Sequence, residues 1–572
     1  MRLRHFLLVA LLFVVGLANA QQFGSIPVNK NVRQGKLSNG LTYYILRNNW
    51  PEKVANFYIA QRVGSIQEEE NQRGLAHFLE HMAFNGSENF PDSTLLEFTR
   101  SLGVEFGSDL NAYTSIEETV YRVCNVPTKS QAALDSCLLI MKDWSNGLTL
   151  ADKEIDKERG VIHQEWQLGQ NAIMRIYDRA LPRMYPNCKY GLRLPIGLMS
   201  VVDNFKYQAL RDYYKKWYRP DNQCIIVVGD IDVDHTEAQI KKLWANVTVP
   251  ANAAQVTKIE VPDNKEPIFI FDKDKEMQNA SVSIMMKHDA FPDEMKSNQA
   301  YYIDSYMKNM ISMMFNQRLD EMKQKSECPF TSAYGYDGRY MLSSTKDAFT
   351  LSAQAKEGKD LEAFKAIYRE AQRVRQYGFT PTEFERMKAE YLSQLESSYS
   401  NRDKITNNKY GDELRDHFLK NEPIPTIEDE YKIMKQFIEM PALNYQVVNE
   451  YVKELISDND SNLVAYIFTQ EKAGKDYVTE DEMAKAIKDV RAEKIEAYVD
   501  NVKSEPLVDE TKLPKAGKIV KETENKKFGY KELTLSNGAR VILKKTDYKA
   551  NEVRLFGSSK GGNSLYGKGD YD

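Results

Sequence analysis

A chain of 572 residues is long enough for several domains. Its 42% hydrophobic and 28% charged residues are an ordinary globular balance that can bury sizeable cores. A net charge of -5, with no basic stripe and no long like-charge block, argues against a nucleic-acid partner and against a solvating tail.

In chain order, Arg2, Arg4 and His5 form a short basic region, Phe6 to Leu17 an apolar run, and Ala18-Asn19-Ala20 a small-residue cleavage site. This three-part pattern predicts a secretory signal peptide over residues 1–20, cut after Ala20. The apolar run is too short to span a bilayer, and nothing downstream is long and apolar enough for a transmembrane helix. Gln21, rather than a cysteine, follows the cleavage site, so a lipid anchor is not indicated. The expectation is a mature protein with no membrane insertion after signal removal, periplasmic or secreted. Cys124, Cys137, Cys188, Cys224 and Cys328 are odd in number and lack metal-type spacing. They read as buried thiols, with no disulfide.

The first block, residues 26–255, predicts strands near 41–48, 54–61, 104–115, 118–126 and 223–230, and helices near 74–85, 92–102, 129–145, 151–170, 207–217 and 234–246. The second block, 260–500, predicts strands at 267–271 and 281–286, a helix over about 297–325, further strands, a long helical region over about 359–455, a strand at 462–468 and a closing helix. Both blocks close with a strand leading into a helix. Residues 501–527, with Pro506, Pro514 and many Lys and Glu, read as a linker. The fold class is α+β, two similar domains each of a mostly antiparallel sheet packed with helices.

A repeat then begins at residue 528. Leu535-Ser536-Asn537-Gly538 before Ala539 to Leu543 repeats Leu37-Ser38-Asn39-Gly40 before Leu41 to Leu46. Asn-Gly between two β-prone runs is a strong hairpin signal. In both copies a second strand-like run follows, Val54 to Gln61 and Asn551 to Phe556, and then Gly-Ser. Residues 528–572 therefore read as the truncated start of a third repeat, and the expected partner is the missing C-terminal half of the same protein.

The chemistry is carried by Gly74-Leu75-Ala76-His77-Phe78-Leu79-Glu80-His81-Met82, which contains H-x-x-E-H. On a helix His77 and His81, at i and i+4, share a face and can share one metal ion. Neutral imidazole nitrogen suits zinc, and Glu80 lies beside that face, able to reach a metal-bound water without ligating the metal. A catalytic site needs a third protein ligand and an open position. The stretch Asp156 to Trp166 offers Glu158 and Glu165, two helical turns apart on one face, so that one can ligate while the other orients a ligand. H-x-x-E-H is a recognised inverted zinc-peptidase arrangement. His163 reads as an ordinary helix residue, and His235, His288 and His417 lie in unrelated segments.

These stretches, with Asn85-Gly86-Ser87, Asn111-Ala112-Tyr113-Thr114 and Pro220 to Asp230, resemble the pitrilysin/insulinase family of inverted-motif zinc metallopeptidases, and most of all its two-half bacterial periplasmic members. The resemblance is strong over the first block, weak over the second, and resumes at 528–557. It implies that His77 and His81 bind Zn2+, that Glu80 is the general base, that Glu165 is the third ligand and that Glu158 supports it. In well-known members the third ligand lies about seven residues closer to the second histidine, a count that would select Glu158, although loops absorb insertions easily. The resemblance further implies four α+β domains, two per half, closing around a peptide substrate that adds as a strand along Asn111, Ala112 and Tyr113. The second domain usually lacks the metal motif, and residues 260–500 contain none. The implied activity is that of a zinc endopeptidase acting on peptides or unfolded segments, weak in this half alone. The alternative is a non-catalytic peptide-binding or assembly subunit of the same family.

Overall fold

The computed structural model describes residues 23–502, 505, 508–567 and 569. The predicted signal peptide, 1–20, lies outside them. Two compact units divide the chain: residues up to 392 together with 404–500, and residues 393–403 together with 501–572.

Within the first unit, β1 (Val32–Lys36), β2 (Thr42–Arg47), β3 (Val54–Gln61), β4 (Leu110–Thr114), β5 (Thr119–Pro127) and β6 (Gln223–Gly229) form one sheet in the order β1-β2-β6-β3-β5-β4. A second sheet contains β7 (Ile268–Asp274), β8 (Ala280–Asp289), β9 (Phe330–Arg339), β10 (Lys346–Ala355) and β11 (Leu463–Gln470) in the order β7-β11-β8-β10-β9. The two orders are the same once β1 is set aside. In each, the first strand pairs parallel with the last, and the remaining ladders are antiparallel. This is the α+β class the sequence predicts.

The first sheet is accompanied by α1 (Leu75–Met82), α2 (Thr94–Ser101), α3 (Gln131–Asn146), α4 (Asp152–Gly169), the single turn α6 (Met199–Val202), α7 (Tyr207–Trp217) and α8 (Val233–Leu243), while α5 (Ala172–Met184) packs on the second sheet. With the second sheet come α9 (Gln299–Lys323), α10 (Asp360–Tyr377), α11 (Pro381–Ser400), α12 (Asn407–Lys420), α13 (Ile427–Ile438), α14 (Tyr445–Leu455) and α15 (Glu480–Ala492). The single helical region expected over 359–455 is thus five helices. The breaks fall at Gly378, whose φ is 72°, ahead of Pro381; after Ser400; at Asn421, whose φ is 56°, ahead of Pro423 and Pro425; and near Pro441.

The helix α5 is absent from the sequence prediction. Its Arg175, Arg179 and Arg183, at i, i+4 and i+8, form a stripe that grips carboxylates of β7 in the second sheet and of α15. Arg175 donates to Asp274 at 2.8 and 2.6 Å, Arg179 to Asp272 at 2.8 and 2.9 Å, and Arg183 to Glu480 at 2.8 and 2.9 Å. The reverse face of the first sheet is covered by α12, whose Leu414 and Phe418 join Tyr58, Ile226 and Val228 in one core.

In the second unit, β12 (Ile519–Asn525), β13 (Tyr530–Leu535) and β14 (Arg540–Leu543) form an antiparallel sheet. Strand β12 falls inside the segment read as a linker; its polar sequence becomes a strand through pairing with β13. The β13–β14 hairpin reproduces β1–β2 in register, Thr534 facing Arg540 as Lys36 faces Thr42. Gly538 and Gly40 turn with φ of 86° and 91°, which only glycine adopts freely. Asn537 and Asn39 each accept the N–H two residues on, at 3.0 and 3.2 Å. Ile45 is fully buried, whereas its counterpart Leu543 is exposed. The expected strand over 551–556 is irregular. Its counterpart β3 is held between β5 and β6, and no equivalents of those strands are found among the described residues of the second unit.

All five cysteines are buried and unpaired, and no helix among the described residues is long and apolar enough to cross a membrane.

Candidate metal centre

Helix α1 is built by its apolar stripe. Leu75, Phe78, Leu79 and Met82 recur at i, i+3, i+4 and i+7 and are fully buried against Ile45, Phe57, Ile59 and Tyr121 of the first sheet. Turning that stripe inward sets His77 and His81 on the face towards α4. The helix begins at Gly74, with φ of 107°, where the chain passes so close to Gly197 that a Cβ on Gly197 would sit 2.3 Å from the Gly74 Cα. At the far end the Trp144 indole donates to the Ala83 carbonyl at 2.8 Å.

His77, His81 and Glu165 each turn one ligand atom to a common point, all within 4.8 Å of one another. The Glu165 Oε2 lies 3.5 Å from His77 Nε2 and 3.3 Å from His81 Nε2. The two rings stand edge to face with centroids 4.7 Å apart. Glu158 lies on the other side of His81: its Oε1 is 2.8 Å from Nδ1, and its Oε2 accepts from Asn85 Nδ2 at 2.7 Å. An ionised carboxylate only accepts, so His81 carries a proton on Nδ1, and in the neutral ring Nε2 faces Glu165 and His77 as a bare lone pair. The two carboxylates that the sequence leaves interchangeable therefore occupy different sides of His81.

The environment suits such a donor set. Burial, assisted by the neighbouring His81, pushes the His77 ring down to about 3, so it is neutral with a lone pair available. Burial also opposes the charged form of His81, but the Glu158 hydrogen bond and the charges of Glu158, Glu80 and Glu165 outweigh it and raise its pKa. Two imidazole nitrogens and one carboxylate oxygen are the ligand types and number of a catalytic zinc site, and the carboxylate–histidine pairing behind His81 is the usual support for one. The buried His77 Nδ1 has no hydrogen-bond partner.

Glu80 is 9% exposed. Burial raises its pKa, opposed by the hydroxyl and backbone of Thr114 and by His81. Thr114 ends β4, which is the edge strand of the sheet, paired on one side by β5. Of the residues expected to receive substrate, the Ala112 N–H is taken by the side chain of Asn111 at 2.8 Å, Asn111 Nδ2 donates to the Gly107 carbonyl at 2.8 Å, and Tyr113 is exposed with its hydroxyl on Glu118 at 2.8 Å.

The remaining histidines among the described residues are engaged elsewhere. His163 faces Asp203, His235 Asp135, His288 Asp337, and His417 the Glu422 carbonyl. Sequence reasoning missed the part of Asn85, although its place at i+4 from His81 was a usable sign. Arg159 locks α4 to the chain after α6, donating to the Phe205 carbonyl at 2.8 Å and stacking on the Phe205 ring, which in turn packs on Phe78.

A sheet with its edge strand beside a helix bearing two histidines and a glutamate, faced by an acidic helix, defines an inverted-motif metallopeptidase scaffold. The family comparison agrees: residues 43–185 match the insulinase (peptidase family M16) model and residues 204–391 the peptidase M16 inactive domain. The chain belongs to peptidase family M16. It is 30% identical over 540 residues to the probable zinc protease PqqL of Escherichia coli (strain K12), covering 94% of this chain and 56% of that protein. A PqqL-like zinc protease of Arabidopsis thaliana is 29% identical, with 94% and 52% covered. The chain spans about half the length of the curated relatives it matches. The crystal structure of the first half of the periplasmic protease PqqL from Escherichia coli superposes with a TM-score of 0.74 at 28% identity, covering 83% of this chain and 100% of that one. Pitrilysin shares the fold, with a TM-score of 0.62 at 16% identity over 88% of this chain and 52% of that one.

Proposed function

We propose that this chain carries the zinc-holding part of an endopeptidase that hydrolyses peptides or unfolded polypeptide segments. One observation carries the reading: His77 Nε2, His81 Nε2 and a Glu165 oxygen converge within 4.8 Å beside the buried Glu80. His77, His81 and Glu165 would hold the zinc, with Glu158 orienting His81. A zinc ion bound there supplies Lewis acidity, which acidifies water and polarises a carbonyl. Glu80 takes the proton of the attacking water on its carboxylate and returns it to the leaving amine. The substrate adds along β4 as an extended strand, reading backbone more than side chains, so specificity is broad. For that strand to pair with Ala112, the Asn111 side chain must release the Ala112 N–H.

The same reading puts the protein in the periplasm or outside the cell, as the pattern of residues 1–20 and the periplasmic PqqL support. It also gives the chain a second half as partner, for which the repeated hairpin and the length of the relatives speak. The test is metal content and turnover together. The zinc-loaded chain should hold one zinc, lost in His77→Ala. Glu80→Gln should keep the metal and lose roughly 100-fold or more in hydrolysis of an unstructured peptide, measured with the second half present. No stoichiometric zinc, or Glu80→Gln cleaving at the parent rate, sinks the reading.

A further inference from the structure

The first turn of α1 carries no side-chain cap. Gly74 is the N-cap, and a helix start leaves its first N–H groups without intrahelical partners. Two backbone N–H groups at this start are met from outside the helix. Glu68, fully buried, accepts from Gly74 N–H at 3.0 Å through Oε2 and from Ala76 N–H at 2.8 Å through Oε1. One carboxylate thus straddles the helix start, one residue before His77. Each oxygen of the carboxyl group gives one N–H at the positive end of the helix the acceptor that the helix itself lacks.

Glu68 is itself held. Arg193, 2% exposed, donates from Nε to the Glu68 carbonyl at 3.2 Å and from Nη2 to Glu70 at 2.6 Å. Ser65 Oγ donates to the Arg193 carbonyl at 2.5 Å. Behind the helix start, Gly197 excludes any movement of Gly74 towards it. Clamped on both sides, the first turn has one position, and His77 belongs to that turn. A helix start free to slide or fray would move His77 Nε2 relative to His81 and Glu165, and a shared ion tolerates displacements of only a few tenths of an ångström.

We infer that Glu68 is a positioning residue for the metal centre: its carboxylate fixes the first turn of α1 and thereby the place of the His77 imidazole. This rests on the zinc reading of the site. Burial pushes its carboxyl up to about 8, against the pull of the Ala76 and Gly74 N–H groups and of Arg193 and Arg73.

The experiment compares Glu68→Gln and Glu68→Asp with the parent chain, reading zinc affinity by competition with a chromophoric chelator and fold by thermal unfolding. Gln presents an N–H to one of the two donors, and Asp keeps both carboxyl oxygens on a shorter arm. The expected order of affinity is parent, then Asp, then Gln, with a loss of roughly tenfold or more for Gln, the scale of second-sphere substitutions. The folded fraction should bind weakly even where the melting temperature moves little. Parent affinity in a folded Glu68→Gln variant overturns the inference while leaving the zinc reading intact, whereas failure of the parent chain itself to bind zinc sinks both. Should neither variant fold, amide exchange in the parent decides. Gly74 and Ala76 amides as protected as those of β3 support the clamp, and exchange at the rate of an exposed turn refutes it.

Discussion

Glu158 and Glu165 lie two turns apart on one helix, and the structure gives them separable consequences. Removing Glu165 takes away one of three converging donors. Apparent zinc binding energies of about 10–16 kcal/mol spread over four ligands amount to about 2.5–4 kcal/mol each, so Glu165→Ala should weaken zinc binding on the order of 100- to 1,000-fold. Removing Glu158 takes away the acceptor at 2.8 Å from His81 Nδ1 and the partner of Asn85 at 2.7 Å. It frees the imidazole to turn or change tautomer without removing a ligand, and supporting groups of this kind are worth roughly 10- to 100-fold. Glu158→Gln should lose least, because its amide oxygen can still accept from Nδ1 if the Asn85 amide turns to accept in its place. Zinc affinities measured by competitive chelation should therefore fall in the order Glu158→Gln, Glu158→Ala, Glu165→Ala. If Glu158→Ala lost more affinity than Glu165→Ala, the two roles would have to be exchanged and the geometric argument abandoned.

Three other outcomes follow from the fold. Ala112→Pro removes an edge N–H that the sheet does not use, so folding should survive while affinity for an extended peptide, read by fluorescence anisotropy, falls several-fold; unchanged affinity would show that no strand adds there. In Gly197→Ala the new Cβ meets the Gly74 and Arg73 backbone at 2.3–2.5 Å with φ at 70°, so overpacking of about 1–3 kcal/mol and left-handed strain of about 1–2 kcal/mol should together cost about 2–5 kcal/mol in urea unfolding. The hydrogen bond and charge of Arg175 hold the Asp274 carboxyl down at about 2, against an ordinary 3.8. A depressed pKa adds stability above the ordinary value that is lost as the pH falls towards 2. The melting temperatures of the parent and Asp274→Asn should therefore converge between pH 4 and 2, and parallel curves would remove Arg175–Asp274 from the account.

What could be read in advance was whatever depended on local periodicity. The α1 stripe at Leu75, Phe78, Leu79 and Met82 announces a half-buried helix, and its polar remainder announces the histidine pair. Residue spacing alone left Glu158 and Glu165 open, because seven residues return to the same helical face; the resemblance favoured Glu165, and the placement of α4 across α1 sets Glu165 beside both Nε2 atoms and Glu158 beside His81 Nδ1. Helix α5 was hidden because its arginine stripe looks like a solvated surface; its partners Asp272, Asp274 and Glu480 lie far along the chain. Strand β12 was hidden because its Lys and Glu residues suggest a linker, and only the ladder to β13 makes it a strand. Glu68 was invisible because a carboxylate that caps a helix from six residues outside it has no fixed spacing.

The two sheets of the first unit show why one scaffold carries a site and its twin does not. In each, a helix follows the second of the core strands, α1 after β3 and α9 after β8. On α1 the polar residues one turn apart are His77 and His81, whose lone pairs stay open towards Glu165. On α9 the pair one turn apart is Asp304 and Lys308, and it closes on itself at 3.2 Å, with Asp337 of β9 joining Lys308 at 2.9 Å. An internal cation satisfies those carboxylates and leaves no donor free to bind an ion. The family description of residues 204–391 as an inactive domain has here a physical content: the same backbone order, with its polar groups spent on one another. Opening the second cluster with Lys308→Met should therefore destabilise the fold by taking the cation from the buried Asp304 and Asp337, rather than create a second metal centre.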